Sequence, residues 1–234
     1  VHAEKIGGIK EELQELRAAI PEIDKMKFGF DNSTLHKGKI LVRAEDINFN
    51  YNNTPLWKAP LTVQIHSGDR LLIKGKNGSG KTTLIKILLG TLAPNTGTIS
   101  STENRTVYID QDYSLIDNNL KVYDHAQQFN ISGLQEHEIK IRLNRFLFTK
   151  NDWEKPCIAL SGGEKMRLML CCLVIGNQAP DLFILDEPTN NLDIQNVEIL
   201  TQAVNEYRGT VIVVSHDSTF LADIGVDHSL KVGN

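Results

Sequence analysis

The sequence predicts an α/β fold interrupted by a helical insertion, and three observations point to it. An apolar strand at residues 71–73 runs into a glycine-rich loop and then an apolar helix at residues 82–89. From Leu182 onward strand and helix patterns alternate, at residues 182–185, 194–207, 211–214 and 218–224. Between these blocks, residues 112–175 show a mainly helical pattern. Strands alternating with helices build a sheet covered by helices on its faces, and a helical block inside that order reads as an insertion. The 234 residues suit one large domain, or one domain with a short appendage.

Bulk properties narrow the class. A hydrophobic share of 41% is enough for a real core, and a net charge of −4 gives no global basic field of the kind that draws nucleic acid. No apolar run approaches the roughly 18 residues of a membrane span, so direct membrane insertion is not expected and the expected location is the cytoplasm. The three cysteines, Cys157, Cys171 and Cys172, lack metal-ligand spacing and read as buried, reduced thiols. The first residue is Val1 rather than Met and no signal peptide precedes the chain, so we expect a piece of a longer protein.

Residues 1–38 differ from the rest. Ile6, Ile9, Leu13, Leu16 and Ile20 recur at steps of three and four, one stripe of an amphipathic helix, and Pro21 stops it. Periodicity alone leaves two readings open: a helix packed on the domain surface, or the end of a coiled linker from a partner domain. Strands then begin near Ile40. Ile47, Phe49 and Tyr51 alternate with Asn48 and Asn50, which predicts one half-exposed strand. Residues 61–65 and 70–74 read as two more strands around a turn.

The loop Gly75-Lys76-Asn77-Gly78-Ser79-Gly80-Lys81-Thr82 fits the phosphate-loop pattern. Glycines let backbone N–H groups turn inward without Cβ clashes, and the helix that follows favours anions at its N-terminus. Lys81 supplies positive charge for terminal phosphates, and the Thr82 hydroxyl is suited to Mg²⁺. Asn77, Ser79 and Thr83 fall within or beside the same loop. The apolar run 182–185 ends in Asp186-Glu187, and a carboxylate at the end of such a strand faces the crevice where ligands bind. Asp186 is expected to support Mg²⁺, directly or one layer out, with Glu187 polarising an attacking water.

Leu160-Ser161-Gly162-Gly163-Glu164 resembles the signature motif of ATP-binding cassette proteins. Phosphate loop, signature and strand carboxylate stand in that family's order, and the resemblance covers residues 40–232. It implies a P-loop NTPase fold of the ABC type: a mixed β-sheet core, an antiparallel β subdomain and a helical subdomain at about 113–175, all within 39–234. It implies an ATPase using ATP and Mg²⁺, slow as an isolated domain. By the same resemblance Tyr51 stacks on adenine, with Phe49 as the alternative. Gln111 reaches Mg²⁺ and the water, His216 contacts the γ-phosphate, and Ser161, Gly162, Gly163 and Glu164 act on the nucleotide of a second ABC domain. The stretch Asp186–Asp193, DEPTNNLD, is similar to the DEPTNHLD of the ABC-F branch, with Asn191 in place of His. The continuation Lys165-Met166-Arg167-Leu168 after Glu164, and the run Lys25-Met26-Lys27-Phe28-Gly29-Phe30 followed by Gly38-Lys39, also resemble that branch. Ser218 and Thr219 depart from it, because the branch usually carries Arg and an aromatic there. The resemblance implies a C-terminal cassette of a paired, ribosome-directed ATPase and makes residues 1–38 the end of its helical linker. The alternative class is the ATP-binding subunit that energises a membrane transporter.

Overall fold

A computed structural model describes residues 38–177 and 179–233. The linker helix expected within residues 1–38 lies outside the described residues.

The core is a five-stranded sheet built from β5 (Arg70–Lys74), β7 (Thr106–Ile109), β8 (Leu182–Asp186), β9 (Thr210–Val214) and β10 (His228–Lys231), in the order β10-β5-β9-β8-β7. Every pairing in it is parallel. Strands β8 and β9 sit at the centre and are buried at every position, which is why they read as unbroken apolar runs instead of alternations.

Their period of two still decides which way each side chain packs. Leu182, Ile184, Ile212 and Val214 join one core, with helix α1 (Lys81–Leu88) and the antiparallel sheet. Phe183, Leu185, Val211 and Val213 join the other, with the helices α2 (Val122–Gln128), α3 (Glu136–Arg145), α4 (Gly162–Ile175) and α5 (Ile194–Glu206). A last short helix, α6 (Ser218–Asp223), precedes β10.

The antiparallel strands form their own sheet, β4-β1-β6, from β1 (Ile40–Asn48), β4 (Leu61–His66) and β6 (Thr96–Ser101). The mixture of strand directions thus lies between two sheets. The register of β1 shifts on both edges around Asp46, a bulge marked by its φ of 51°.

One local expectation needs correction. The alternation of Ile47, Phe49 and Tyr51 predicts a single strand, but β1 ends at Asn48. Asn50–Tyr51 (β2) instead pairs with Thr54–Pro55 (β3) in a two-residue hairpin. The cause is the Asn48 side chain. Its Oδ1 accepts from the amides of Phe49 at 2.9 Å and Trp57 at 3.2 Å, and its Nδ2 donates to the Trp57 carbonyl at 2.7 Å. A side chain that takes backbone groups competes with the ladder and ends it. Asn52 and Asn53, with φ of 51° and 62°, make the turn. The cysteines follow expectation: Cys157, Cys171 and Cys172 are free and buried.

Candidate functional site

Residues 75–80 link the end of β5 to α1, so the parallel sheet aims the loop at the crevice above its carboxyl ends. Gly78 and Gly80 take φ of 76° and 93°, and Gly80 is the N-cap of α1. A side chain at Gly75 would put a Cβ 2.3 Å from Ser79 Oγ and 2.5 Å from the Val232 carbonyl oxygen. Glycine is therefore required there by close approach, whatever its φ. No side chain caps α1, so its leading amides are available to an anion. The Lys81 ammonium donates to the carbonyls of Gly75 at 2.9 Å and Lys76 at 3.2 Å, which holds it over the loop.

A cavity of about 410 Å³ adjoins the loop. It brings together Tyr51, Asn77, Gly78, Gly80, Lys81, Thr82, Thr83, Gln111, Asp186 and Glu187, ten of the residues singled out by sequence. The Tyr51 hydroxyl lies 3.1 Å from Thr83 Oγ1, and its ring meets Phe49 edge-to-face with centroids 5.0 Å apart. Tyr51 remains 54% exposed, which leaves ring surface free for a planar ligand. Phe49 packs against the core below it, and of these two aromatics it is Tyr51 that lines the cavity.

Asp186 and Glu187 are consecutive but serve different neighbours. Thr82 Oγ1 donates to Asp186 Oδ2 at 3.5 Å, and the Tyr108 hydroxyl donates to the same oxygen at 3.1 Å. Burial pushes the Asp186 carboxyl up from its usual range, against the opposing pull of Tyr108, Lys81 and Thr82. The same burial, with the Asp186 charge, raises the Tyr108 phenol well above its ordinary value, so it stays a donor. Glu187 has a φ of 50°, and its amide donates to the Val214 carbonyl at 2.7 Å. A left-handed non-glycine residue costs about 1 kcal/mol or more. Glu187 Oε1 stands 3.3 Å from His216 Nε2.

Thr82, Asp186 and Gln111 all line this cavity, with the Thr82 hydroxyl against the Asp186 carboxylate, and together they offer hydroxyl, carboxylate and amide oxygens. These are hard donors of the kind Mg²⁺ prefers, and their small number suits an ion that also keeps water and phosphate oxygens. The residues present fit the metal.

Two groups of expected site residues are placed elsewhere. His216 and Gly75 line a neighbouring cavity of about 670 Å³, which shares Lys81 with the first. Ser161, Gly162, Gly163 and Glu164 open α4 and line neither cavity. Ser161 and Glu164 form a reciprocal capping box: Ser161 Oγ accepts from the Glu164 amide at 3.2 Å, and Glu164 Oε2 accepts from the Ser161 amide at 2.7 Å. Lys155 Nζ donates to Glu164 Oε1 at 2.7 Å. A Cβ on Gly163 would fall 2.2 Å from Asn196 Nδ2, so the signature's glycine lets the first turn of α5 pack against it.

Sequence reasoning missed Tyr108, Trp57 and Asn196. Tyr108 had no signal in the sequence, because only the folded sheet sets the register that pairs it with Ile184, on the side of β8 that ends in Asp186. Trp57 and Asn196 had none, because each acts through a residue the chain order does not place beside it.

An uncapped phosphate loop at the carboxyl end of a parallel strand, with a strand-end carboxylate facing its threonine, defines a P-loop nucleotide-binding protein. Comparison with known proteins narrows this: the family model described as ABC transporter matches residues 59–190, and the chain belongs to that family of ATP-binding cassettes. It resembles the ABC-F type within it. The chain is 35% identical over 224 residues to a probable ATP-binding protein, YbiT, of Escherichia coli O157:H7, covering 95% of this chain and 41% of that protein. It is 40% identical over 195 residues to a putative ATP-binding protein, YdiF, of Bacillus subtilis, covering 83% and 30%. It is 38% identical over 189 residues to the ATP-binding protein Uup of Escherichia coli K12, covering 79% and 29%. The chain thus spans less than half the length of each of these three relatives. Among solved structures, an ATP-binding subunit of an ABC transporter superposes with a TM-score of 0.66 at 23% identity, covering 82% of this chain and 86% of that one. A dimeric ATP-binding cassette in a post-hydrolysis state bound to ADP and Pi gives 0.65 at 18% identity, covering 82% and 94%. These two likenesses establish the fold. Among the described residues, no helix is long and apolar enough to cross a membrane.

Proposed function

We propose that this chain is the ATP-hydrolysing cassette of a tandem-cassette, ABC-F-like protein that acts on the ribosome, and that its site is completed by the signature of a second cassette. The observation that carries the shared site is the separation just described. The cavity gathers Asn77, Gly78, Gly80, Lys81, Thr82 and Thr83 with both carboxylates, while Ser161, Gly162, Gly163 and Glu164 open a different helix outside it. The tandem reading draws on the relatives, since more than half of YbiT, YdiF and Uup lies outside the match. The ribosomal reading draws on DEPTNNLD and on the resemblance of residues 25–39.

In this reading the loop amides, Lys81 and the uncapped start of α1 hold the phosphates, while Tyr51 stacks on adenine. Thr82, Asp186 and Gln111 would hold Mg²⁺, which when bound neutralises charge developing on the phosphates. Tyr108 and Thr82 hold the Asp186 carboxylate in place, donating to one of its oxygens. Glu187 orients and deprotonates the attacking water, and His216, beside it, steadies the γ-phosphate. The chain's contribution is positioning and charge stabilisation, as phosphoryl transfer requires. Residues 1–38 are the end of the linker and 39–234 the cassette.

The test uses the full-length protein with Glu187→Gln. ATP binding is expected to be retained and hydrolysis to fall by at least about 100-fold. The variant with ATP should then cosediment with ribosomes more strongly than the unaltered protein. An unchanged hydrolysis rate removes Glu187 from its role. Absence of ATP-dependent ribosome association removes the translational reading in favour of a transporter subunit. The isolated chain should bind ATP but turn it over slowly, and a dilute chain as fast as the full-length protein would overturn the shared site.

A further inference from the structure

Trp57 is 1% exposed and packs in the core shared by α1 and the antiparallel sheet. Apolar burial accounts for its ring. It does not account for its indole N–H, because a buried donor must find an acceptor and many positions in that core would offer none. The acceptor here is the phosphate loop itself: Trp57 Nε1 donates to the Ser79 carbonyl oxygen at 3.0 Å.

That bond has a directional consequence. The Ser79 carbonyl and the Gly80 N–H belong to one planar trans peptide, in which C=O and N–H point opposite ways. Anchoring the carbonyl toward Trp57 turns the Gly80 N–H away from it, toward the cavity that Gly80 lines. The anchor is itself rigid. Asn48, 7% exposed, clamps the Trp57 backbone on both sides, through its amide at 3.2 Å and its carbonyl at 2.7 Å. Leu56 and Trp57 also wall the outer side of the loop, since a Cβ on Gly80 would meet Leu56 Cδ2 at 2.5 Å and Trp57 Nε1 at 2.9 Å. Gly80 holds a φ of 93° against that wall.

We propose that Trp57 is a positioning residue of the phosphate loop, whose indole N–H sets the Ser79–Gly80 peptide so that the Gly80 amide faces the β-phosphate side of a nucleoside polyphosphate. This rests on the cavity being the ATP site. The segment that bears Trp57 runs on directly from the hairpin that bears Tyr51, so one ordered stretch places the two ends of the nucleotide.

The experiment replaces Trp57 in the whole chain with β-(3-benzothienyl)alanine, which keeps the bicyclic shape and lacks the N–H, alongside Trp57→Phe. Trp153→Phe serves as control, because Trp153 donates to the Phe148 carbonyl, remote from the loop. Dissociation constants for MgATP and for AMP are measured by calorimetry. Removing the N–H is expected to weaken MgATP by roughly three- to tenfold while AMP, lacking a β-phosphate, is unchanged. A generally loosened fold would weaken both together and leave their ratio fixed, so an unchanged ratio in the isostere overturns the role of Trp57. The Trp153→Phe protein carries Trp57 as its one tryptophan, and its ¹⁵N indole resonance reads the same bond in an unaltered site. A hydrogen-bonded position that shifts with MgATP and not with AMP supports the proposal. A free-indole position, indifferent to MgATP, overturns it even if the isostere fails to fold. Failure of the unaltered chain to bind MgATP overturns the ATP-site reading, and this proposal with it, a result distinct from equal binding by chain and isostere.

Discussion

Two helix starts in this molecule carry phosphate-binding sequence patterns, and they are built in opposite ways. Helix α1 begins at Gly80 with no side-chain cap, behind a loop braced by Leu56 and Trp57, and faces a cavity already furnished with Lys81, Thr82 and Asp186. Helix α4 begins at Ser161 with a capping box, and its first turn carries a carboxylate paired with Lys155. The first leaves donors unmet within its own fold. The second meets part of its need locally and lines no cavity with the loop. A helix start that leaves its amides open still has donors to offer an anion, whereas a capped start has met part of that need with its own side chains.

The largest effect that would break this contrast is at the loop. Lys81→Ala in the isolated chain should raise the MgATP dissociation constant on the order of 100-fold, with the melting temperature little changed. Calorimetry that finds the affinity intact would make the loop an ordinary turn.

A smaller effect is expected at the other start. Ser161→Ala removes the cap and should cost about 1 kcal/mol in urea unfolding, while leaving the isolated chain's MgATP affinity within about twofold. Loss of affinity comparable to that of Lys81→Ala would merge the two regions into one site.

The smallest effect is electrostatic and sharpens how α4 is balanced. Burial works against the Glu164 charge, but hydrogen bonds from Lys155 and Ser161 outweigh it and hold the carboxyl below its usual 4.5. A folded-state value below the unfolded one gives stability that is present above pH 4.5 and is lost as pH falls through the lower folded value. Lys155→Met should therefore destabilise by only a few tenths of a kcal/mol at pH 7, since the pair is partly exposed. That difference should fade as urea midpoints are compared further below pH 4.5.

What was legible in the sequence was what is local or periodic. The loop residues 75–82 and the pair Asp186-Glu187 could be named because strand, turn and helix propensities over a dozen residues fix where they stand. The break in β1 could not, because an alternation of Ile47, Phe49 and Tyr51 carries no sign that Asn48 will capture the amide and carbonyl of Trp57. Nor could the bond from Tyr108 to Asp186, made across two strands 78 residues apart in the chain.

By itself the sequence determined the class of chemistry: glycines where backbone must approach phosphate, a lysine and a threonine after them, and a carboxylate at the end of a buried strand. Those demands are written in residue type and short spacing, which the chain states directly. Only the tertiary structure decided which donors stay open and which are taken, that Glu187 turns toward His216 while Asp186 turns toward Thr82, and that a tryptophan from the segment between β3 and β4 holds the loop. The physical reason is that a hydrogen bond depends on distance and direction between groups, and for residues far apart in the chain both are set by packing.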